Sequence, residues 1–586
     1  MDRTRLWPDF REEWIVQEDD TLIFIDKPTG ISSQAADPEQ PDDIVTRLKR
    51  HLVAKGLDPY LGTHQRLDRD TSGLLVYARK KEANASLAPQ FEGRTAKKMY
   101  IACVSDWKKK DVVSLRDKLA PGDGDKTIIA KDRDKRGVMA VTHVKVRSRQ
   151  ADRALVEIEL ETGRTHQARA QLAHAGSPIA GDVLYGGPSA ARLLLHAHAL
   201  ELTHPKTNKK IRVEAKIPAE FQEWLERGDM GPTVYDEEAS IDRALARAME
   251  RRWGLGRSTG KHETTAFRLV NEAGDGLPGL SVDVYGDFLV AQVHADSDQV
   301  KYPIFTEERR VRILDRLHAL GFDGIYLKMR PRQANTLVET RRDDIAPKEP
   351  VRGTAAPESF LIREDAIEYE VRLGDGLSTG IFLDQRANRA RVRSLSQGAR
   401  VANLFSYTCP FTVAAAAGGA RESVSVDASA ASLERGAANV ARLGLVGNHE
   451  ARSPEGRSGI DMKNHQFVAD DAFNWLAKAE RQKNKFDLII LDPPSYATTK
   501  TRRFVATTDY VELAAQAIAL LAPKGKLLAC TNHRGIKQNK FRHMLQEAVQ
   551  AAKRSAAQVK DLPDPSDFPA PPGADHHLKG VLVTLK

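Results

Sequence analysis

Residues 400–427 read RVANLFSYTCPFTVAAAAGGARESVSVD, and this stretch decides the fold class of the C-terminal part of the chain. A short apolar run, RVANLF, leads into a helix-like segment that ends at two glycines, FTVAAAAGG, and then into a second run, SVSVD. Two more apolar runs follow, KFDLIILDPP at 485–494 and GKLLACT at 525–531. Nearly continuous apolar strands that alternate with helices are typical of a parallel sheet covered on both faces. We predict a doubly wound, Rossmann-like α/β domain over residues 376–586.

Polar residues stand where this fold binds its ligands, beyond the carboxyl ends of the strands. Residues 403–410, NLFSYTCP, follow the first strand, Asp427 ends the second, and Asp492 ends another. Asp427 can accept hydrogen bonds from both ribose hydroxyls of a nucleoside cofactor, and Asp470 could hold the adenine amino group. Because no Gly-x-Gly-x-x-Gly motif follows the first strand, there is no pyrophosphate cradle for NAD. The pattern favours S-adenosylmethionine over an NAD-type dehydrogenase or a sheet that binds no ligand.

The size and composition of the whole chain limit its class. A chain of 586 residues is too long for one hydrophobic core and predicts roughly three to four domains. Its 41% hydrophobic and 29% charged residues are ordinary for a globular protein. A net charge of +9 suits a polyanionic partner. Three cysteines exclude a disulfide framework, and the sequence has no Cys-x-x-Cys pair for zinc.

The start of the sequence, MDRTRLWPDFREEW, has charges and a proline where a signal peptide needs an apolar stretch. Nowhere does the sequence run through about 18 consecutive apolar residues, so we predict no membrane-spanning helix. We therefore expect a cytoplasmic protein.

Residues 1–228 alternate short β-rich runs with glycine and proline, as in TLIFIDKPTG, LLVYARKK, KKMYIACV, ALVEIELETGR and ALELTHP. This rhythm predicts an α+β domain with a mixed, mainly antiparallel sheet and a few helices. Beyond it, residues 229–375 begin with a basic helical segment, IDRALARAMERRWGL, and continue as a small α+β domain. In that domain, SVDVYGDFLVAQVHA predicts a hairpin with a Tyr-Gly-Asp turn.

One acidic residue of the N-terminal domain stands among arginines. The segment HQRLDRDTSGLLVY, residues 64–77, places Asp68 between Arg66 and Arg69, shortly before an apolar strand. A cation beside a carboxylate lowers its pKa and keeps it ionised, as a catalytic acid group can require. The same spacing also fits a plain surface salt-bridge cluster, so the residues by themselves leave both interpretations open.

RLDRDTSGL resembles the catalytic motif of the RluA-type pseudouridine synthases, and four more blocks resemble that family in its own order. They are TLIFIDKPTGIS, KKMYIACV, TGRTHQARAQLAHAGSPIAGDVLYGG and ARLLLHAHALELTHP, within residues 13–225. The resemblance implies an enzyme that isomerises uridine in RNA to pseudouridine without a cofactor or a metal. It implies that Asp68 is the catalytic carboxylate, that Arg169 pairs with it and that Tyr100 packs on the uracil. The RNA-binding residues that we assign by this resemblance are Arg66, Arg69, Arg164 and His166.

Two further features of the N-terminal half concern the choice of substrate and the possibility of a metal site. Gln65 lies between the histidine and the arginine that the family usually has side by side, which bears on flipping of the target base or on substrate choice. His196 and His198 share one face of a strand and His204 follows, but no cysteine or clear carboxylate completes a metal site. We expect ordinary strand histidines and no metal.

The C-terminal half resembles the RlmI/RlmK-type methyltransferases of large-subunit ribosomal RNA over residues 235–586. The matching stretches are TTAFRLVNEAGDGLPGLSVDVYGDFLV, STGIFLDQRANR, NLFSYTCPFTVAAAAGGA, SVSVDAS and FDLIILDPPSY. The resemblance implies a class I methyltransferase that uses S-adenosylmethionine on a base of RNA, with Asp492 as a catalytic residue that faces this base. We assign the following cofactor-binding residues, which include Asp427 and Asp470 from the strand ends: Asp384, Gln385, Arg386, Asn403, Phe405, Ser406, Tyr407, Thr408, Asp427, Asp470, Asp492, Pro493 and Pro494.

Two departures from that family bear on its function. Cys409-Pro410 stands where the family usually has small residues, and proline removes a backbone donor, so we expect the methionine end of the cofactor to be held differently. In addition, the small RNA-binding domain that precedes the enzyme in one branch is absent, and the synthase-like half takes its place. The alternative remains that the C-terminal half is a catalytically impaired module for RNA binding or ribosome assembly.

The methylated atom depends on one cysteine. Methylation of cytosine C5 needs a thiolate that attacks C6, whereas guanine N7 already has a lone pair. Cys530 is the candidate nucleophile, although the cytosine-type branch has its cysteine at the position of Asn532. A shift of two residues keeps a strand residue on the same face, so Cys530 stays a candidate. ACTNHRG resembles the guanine-N7 branch, with Asn532 and Arg534 as RNA-binding residues, so we favour guanine N7 over cytosine C5.

RNA is the expected partner of both halves: ribosomal RNA for the methyltransferase, and ribosomal or transfer RNA for the synthase. Fusion in one chain suggests that both target nucleotides lie on the same RNA, because binding at one site raises the effective concentration at the other.

Overall fold

The computed structural model describes residues 3–35, 42–122, 126–131, 133–294, 306–330, 343–446, 464–498, 503–570 and 576–586. In these ranges the chain forms three large sheets, which follow one another in sequence. None of the helices in the described ranges is long and apolar enough to cross a membrane.

The N-terminal region is built on one long sheet. Its strands are β1 (Ile15–Glu18), β2 (Leu22–Lys27), β3 (Gly62–Thr63), β4 (Ser72–Ala78), β5 (Lys97–Ser105), β6 (Val112–Pro121), β7 (Thr127–Ile129), β8 (Val138–Gln150), β9 (Arg153–Leu160), β10 (Leu195–Thr203) and β11 (Lys210–Glu214). Its helices are α1 (Arg3–Leu6), α2 (Ile44–Ala54), α3 (Asn84–Glu92), α4 (Gln167–His174) and α5 (Ala219–Arg227).

The strand order is β1-β2-β4-β10-β5-β9-β8-β6-β7, with β3 on β4 and β11 on β10. Of these pairs only β4 with β10 is parallel, so the predicted mixed, mainly antiparallel sheet is confirmed. The alternation of apolar and polar residues in β9, RALVEIEL, matches an alternation of buried and half-buried positions, as expected for a strand with one covered face. The parallel pair and β5 lie side by side, and the loop before β4 carries Asp68 while β5 carries Tyr100.

The central region begins with α6 (Glu238–Arg251) and α7 (Trp253–Gly256). Its sheet has the order β12 (Ala266–Asn271), β13 (Leu280–Tyr285), β14 (Phe288–His294), β15 (Gly324–Arg330) and β16 (Arg352–Gly353), with α8 (Glu307–His318) before β15. A separate hairpin follows, β17 (Phe360–Glu364) and β18 (Ile367–Val371). Tyr285 pairs with Phe288 across the β13–β14 turn, which confirms the predicted Tyr-Gly-Asp turn. Leu6 and Trp7, at the start of the chain, pack in the core of this central region.

The C-terminal region contains strands β19 (Arg400–Leu404), β20 (Glu422–Asp427), β21 (His465–Ala469), β22 (Phe486–Leu491), β23 (Tyr496–Thr498), β24 (Arg503–Val505), β25 (Leu521–Thr531), β26 (Ala556–Leu562) and β27 (Lys579–Leu585). Its helices are α9 (Arg386–Leu395), α10 (Pro410–Ala417), α11 (Ala430–Val446), α12 (Ala472–Arg481), α13 (Ala506–Ala519) and α14 (Gln538–Ala551).

The main C-terminal sheet has the order β21-β20-β19-β22-β25-β27-β26, and β23 pairs with β24 apart from it. Five strands are parallel, and β27 runs antiparallel to both of its neighbours. The predicted doubly wound α/β fold is therefore confirmed. The strand order reverses between β19 and β22, and ligands of such sheets bind at this switch point. The residues after these two strands therefore define the candidate site.

Candidate active sites

Asp68 lies in the loop between β3 and β4, and a neighbouring turn holds the backbone on both sides of it. Ser33 Oγ donates to the carbonyl of Leu67 at 2.7 Å and accepts from the N–H of the same residue at 2.9 Å. Thr29 Oγ1 donates to the carbonyl of Asp70 at 2.7 Å. The Asp68 side chain keeps 32% exposure, so a fixed carboxylate remains open to a substrate.

Arg169 joins Asp68 to a second carboxylate, which is fully buried. Its Nη1 lies 3.3 Å from Asp68 Oδ2, while Nε and Nη2 donate to the two oxygens of Asp182 at 2.7 and 2.8 Å. Burial opposes the charge of Arg169, but Asp182 and then Asp68 raise its pKa above the ordinary value. The guanidinium also lies 5.3 Å from the ring centre of Tyr185. Arg169 is therefore held charged and oriented, with Nη1 left for Asp68.

Tyr100 is the third residue of this site. Its ring packs against one apolar cluster that contains Leu67 and another that contains Ala168, the neighbours in sequence of Asp68 and Arg169. Burial, and then the charge of Asp68, raise the pKa of Tyr100, so the phenol stays protonated at neutral pH. The structure thus brings the three predicted catalytic residues of this half together.

Of the predicted RNA-binding residues, only His166 forms a contact with Asp68 among the described residues. His166 Nε2 lies 3.5 Å from Asp68 Oδ2, at the start of α4, where His166 has a left-handed backbone with φ of 52°. Arg66, Arg69 and Arg164 are exposed. Among the described residues, the ion pairs of Asp68 come from His166 and α4 and not from the two flanking arginines. This corrects the expectation from sequence spacing, because Arg69 Nε donates to the carbonyl of Gly30 instead and Arg66 is exposed.

The three histidines considered as metal ligands have other partners. His196 Nδ1 lies 2.9 Å from Ser72 Oγ, His198 Nδ1 lies 2.8 Å from a backbone carbonyl, and His204 Nε2 lies 2.9 Å from Asp19 Oδ2. Within the described ranges, no group of three or more His, Cys, Asp or Glu residues is placed to hold a metal ion.

The loop after β19 forms one wall of the second site. Phe405, Tyr407 and Cys409 have left-handed backbones, with φ of 59°, 51° and 59°. Asp427, at the end of β20, accepts from the N–H of Tyr407 at 2.8 Å and from that of Ser429 at 2.9 Å. Left-handed conformations cost free energy in residues other than glycine and cluster at ligand sites.

One buried oxygen in this wall is without a partner. Asn403 donates Nδ2 to Thr412 Oγ1 at 3.0 Å, but its buried Oδ1 has no hydrogen-bond partner in the described part of the chain. Ser406 and Thr408, which follow, are also buried. An unsatisfied buried acceptor costs about 1–3 kcal/mol, so a donor group on a ligand suits this position. The wall therefore fits the S-adenosylmethionine that the sequence predicts.

The Cys409-Pro410 departure lies at a helix start. Pro410 is the first residue of α10, a position at which the missing N–H would have no partner in the helix. Cys409 is buried against α11, because a Cβ at Gly436 would stand 2.4 Å from its Sγ. The proline therefore does not disrupt the helix, and its effect on cofactor binding stays a prediction.

Asp492 lies at the carboxyl end of β22 and is linked to α9. Gln385 Nε2 donates to Asp492 Oδ2 at 2.8 Å, and Gln385 Oε1 accepts from Asn388 Nδ2 at 2.7 Å. Cys530 Sγ lies 3.5 Å from Asn388 Nδ2 and 3.7 Å from Gln385 Oε1. Cys530 is fully buried, and burial followed by the charge of Asp492 raises the pKa of its thiol well above the ordinary value.

Two carboxyl groups, Asp492 and the nearby Asp384, have pKa values near neutral pH. Burial, and then the charge of Asp384, raise the pKa of Asp492 to about 7. Burial raises the pKa of Asp384 to about 6, against the opposing field of Arg268. Carboxyl groups with pKa values near the working pH are frequent at functional sites.

Arg386 is held by an ion pair inside the C-terminal region. Its guanidinium is buried and forms a two-pronged ion pair with Asp567, one contact of which is 2.9 Å long. Asp567 also accepts from the backbone N–H of Arg268 at 2.9 Å, and its carbonyl accepts from Arg252 at 2.7 Å. Asp567 therefore joins the C-terminal region to the central region and also holds Arg386, whose contact with the cofactor stays a prediction.

Asp470 follows β21 and lies beside Asp427, at the end of the neighbouring strand β20. The N–H of Asp470 donates to the carbonyl of Asp427 at 3.1 Å. Its carboxylate pairs with Lys478 at 2.7 Å, so contact with an adenine amino group stays a prediction.

Residues 493–496 and 532–534 form the outer part of the second site. Pro493 is buried and Pro494 half-buried. Ser495 Oγ donates to Asn532 Oδ1 at 2.8 Å, so Asn532 faces the segment that follows Asp492. Arg534 is exposed beyond it.

Three residues that contact the predicted site residues were missed from the sequence. Asp182 lies in the GDVLYGG block that resembles the synthases, but nothing in its spacing shows that it binds Arg169. Asn388 lies in STGIFLDQRANR, three residues after Gln385, a spacing that places the two on one face of a helix. Asp567 belongs to a loop without a motif, so no sequence signal would have found it.

Comparison with known proteins supplies the family. Residues 333–583 match the family model of S-adenosylmethionine-dependent methyltransferases, and residues 21–174 match that of RNA pseudouridylate synthases. "Putative ribosomal RNA large subunit methyltransferase YwbD" of Bacillus subtilis is 36% identical over 330 residues, 55% of this chain and 76% of the relative. "Ribosomal RNA large subunit methyltransferase I" of Aeromonas salmonicida is 30% identical over 389 residues, 63% of this chain and 90% of the relative. The solved structure of "Human RNA Pseudouridylate Synthase Domain Containing 4" is 24% identical, with a TM-score of 0.31 over 37% of this chain and 93% of that one.

Proposed function

We propose, from the premise that this chain belongs to the family of S-adenosylmethionine-dependent ribosomal RNA large subunit methyltransferases and carries an RNA pseudouridylate synthase domain, that it makes two modifications on one RNA. The first is isomerisation of a uridine at Asp68. The second is methylation of a base of large-subunit ribosomal RNA, with guanine N7 as the target atom. Both family resemblances read from the sequence are confirmed, and the target atoms and the RNA are the proposal.

For the first reaction, the observation that carries the proposal is the chain of contacts Asp68–Arg169–Asp182. Pseudouridine forms when the N-glycosidic bond breaks, the uracil turns, and C5 bonds to C1′ of the ribose, after which C5 loses its proton and N1 gains one. Asp68 is exposed enough to meet the ribose as nucleophile at C1′ or as base at C2′, and Arg169 stabilises its negative charge. Protonated Tyr100 offers its ring to the uracil face. The uridine must leave its stack at a cost of a few kcal/mol, so loops are favoured over duplex.

For the second reaction, S-adenosylmethionine supplies the methyl group when bound. We assign its adenosine part to Asp427 and Asp470, which are hydrogen-bonded neighbours, and the adjoining wall to Asn403 and the loop 405–408, whose Tyr407 N–H donates to Asp427. Asp492 is held by Gln385, and its carboxylate would lie beside the target base. The hydrogen bond that holds the loop at Tyr407 and the acceptor on Asn403 that has no partner in the described part of the chain support a site that binds the cofactor, and not an impaired module.

The environment of Cys530 supports guanine N7 over cytosine C5. A nucleophile for C6 of cytosine must be a thiolate that the base can reach. Cys530 is fully buried, the pKa of its thiol is raised, and its Sγ contacts Gln385 and Asn388. The position at which the cytosine-type branch has its cysteine is occupied by Asn532, which bonds to Ser495.

The direct test compares full-length wild type with Asp68→Asn on large-subunit ribosomal RNA transcribed in vitro, read by mass spectrometry after nuclease digestion. We expect wild type to form one pseudouridine and one N7-methylguanine. Asp68→Asn should lose the pseudouridine and keep both the methylation and the RNA affinity measured by filter binding. Pseudouridine in the Asp68→Asn product would refute the role of Asp68, and 5-methylcytosine in the wild-type product would refute the target atom. Bulk transfer RNA transcripts serve as the second substrate.

A further inference from the structure

Helix α6 belongs to the central region, but its side chains bind the N-terminal region. Arg243 pairs with Glu223 at 2.6 Å and Arg247 with Glu220 at 2.7 Å, both partners lying on α5. Near the end of α6, Glu250 accepts a hydrogen bond of 2.6 Å from Nη1 of Arg47, which lies on α2. Arg47 and Glu250 are nearly fully buried, with 1% and 10% side-chain exposure. A buried pair of this kind holds one geometry, so the C-terminal end of α6 is fixed relative to the synthase domain.

The synthase turn nearest this helix end supports the catalytic loop. Lys27 is buried, and its Nζ donates to the carbonyls of Ile31 at 2.9 Å and Arg69 at 3.0 Å. Gly30 and Arg69 exchange two hydrogen bonds: the N–H of Gly30 donates to the carbonyl of Arg69 at 2.9 Å, and Nε of Arg69 donates to the carbonyl of Gly30 at 3.0 Å. The position of Gly30 therefore sets the position of Arg69, the next residue after Asp68.

Arg251, the last residue of α6, lies on that turn. A Cβ at Gly30 would stand 2.8 Å from Cγ and 3.0 Å from Nε of Arg251, so the arginine stem packs directly on the glycine. Gly30 has a φ of 85°, which other residues rarely adopt. At its far end, Arg251 Nη1 donates to the carbonyl of Gly274 at 3.0 Å and to Asp275 Oδ1 at 3.2 Å. The side chain is thus anchored in the central region while its stem covers the synthase turn.

We propose that the methyltransferase half supplies a positioning residue to the synthase, namely Arg251. It acts through Gly30 and Arg69 on the placement of Asp68 and touches no substrate atom. This inference rests on the proposed role of Asp68. It means that the synthase reaction depends on the central region, although all of its catalytic residues lie in the N-terminal half.

The test measures single-turnover pseudouridine formation by the full-length variants Arg251→Ala, Arg251→Lys and Arg243→Ala, over a range of protein concentrations. Arg243→Ala is the matched control, because it removes an ion pair between α6 and the synthase domain that does not touch the Gly30 turn. A small misplacement of a catalytic group can cost on the order of 100-fold in rate. We expect Arg251→Ala to lower the maximal rate roughly 10- to 100-fold with half-saturation unchanged. Arg251→Lys should recover most of the rate, since its stem covers Gly30.

Two further readouts separate positioning from damage to the fold. The melting temperature of Arg251→Ala should equal that of Arg243→Ala, and both should bind S-adenosylmethionine like wild type in calorimetry. Equal maximal rates for Arg251→Ala and Arg243→Ala would overturn the inference, as would a loss confined to half-saturation. If wild type forms no pseudouridine in any of the RNAs, the proposed function fails instead, so the two failures are distinguishable.

Discussion

Arg169 donates two hydrogen bonds to Asp182, of 2.7 and 2.8 Å, and only one contact of 3.3 Å to Asp68. The side chain of Asp182 is fully buried and that of Arg169 nearly so, with 0% and 11% exposure. The carboxylate of Asp68 therefore meets an arginine whose plane is already set by a second acid. Such an arginine needs little reorganisation when charge changes at Asp68.

Asp182→Asn should slow pseudouridine formation although Asp182 meets no substrate. The substitution removes one of the two Asp182 oxygens that accept from Arg169, so the guanidinium can turn away from Asp68. We expect a fall of about 10- to 100-fold in single-turnover rate and a loss of roughly 3 kcal/mol in stability from the broken buried pair. Asp134→Asn, which breaks the exposed pair with Arg136, is the control and should leave the rate unchanged. An unchanged rate in Asp182→Asn would show that Asp68 holds Arg169 without help.

Methylation should depend on the ionisation of Asp492, whose pKa is raised to about 7 by burial and Asp384. Below this pH the carboxyl carries a proton and is neutral, and above it the group is an anion. N7-methylation places a positive charge on guanine, which the anion stabilises, so the single-turnover rate should rise with pH through a midpoint near 7. Asp492→Asn should lower the rate about 100-fold and remove the rise between pH 6 and 8. A pH-independent wild-type rate contradicts this role.

The midpoint itself is adjustable through Asp384. Because the charge of Asp384 is one cause of the raised pKa of Asp492, Asp384→Asn should move the midpoint of the pH profile to lower pH. The shift is measured by comparing the pH profile of the methylation rate of Asp384→Asn with that of wild type. A midpoint that moves upward in Asp384→Asn would assign the titration to another group.

Cys530→Ser should leave methylation within about twofold of wild type, because guanine N7 needs no covalent step. Substitution inside a packed site should cost about 1 kcal/mol of stability. Cys103→Ser, at a buried cysteine of the synthase half, is the matched control for that cost. Abolished methylation in Cys530→Ser, with S-adenosylmethionine still bound, would favour cytosine C5.

Asp567→Asn should destabilise the packing of the C-terminal region on the central region, because the Asp567 carboxylate accepts from the N–H of Arg268 as well as from Arg386. It weakens the buried ion pair with Arg386, and removing one partner of such a pair costs about 3–5 kcal/mol. Calorimetry should show a lower melting temperature, whereas Asp561→Asn, at a half-exposed pair with Arg542, should change it little. Equal melting temperatures would mean that Arg386 finds another partner.

The two family assignments, the two sheet types and the grouping of Asp68, Tyr100 and Arg169 followed from the sequence. Periodic apolar runs predict sheets because burial repeats with the strand, and the motifs bring their residue types in a known order. The same local patterns placed Asp427 and Asp492 at strand ends on one edge of the C-terminal sheet. These features depend on short segments, which is why a linear reading was sufficient.

Only the tertiary structure decided how the predicted site residues are held. Arg66 and Arg69 flank Asp68 in sequence, yet its ion pairs among the described residues come from elsewhere. The sequence gives no signal that Asp182 holds Arg169 or that Asp567 holds Arg386. The contact of Arg251 with Gly30 joins residues more than 200 positions apart. Such partners are chosen by how separate elements pack, because a buried charge must find its counter-charge wherever the fold brings one within reach. The sequence by itself therefore determined the two enzymes, and the packing of their domains decided how each catalytic group is held.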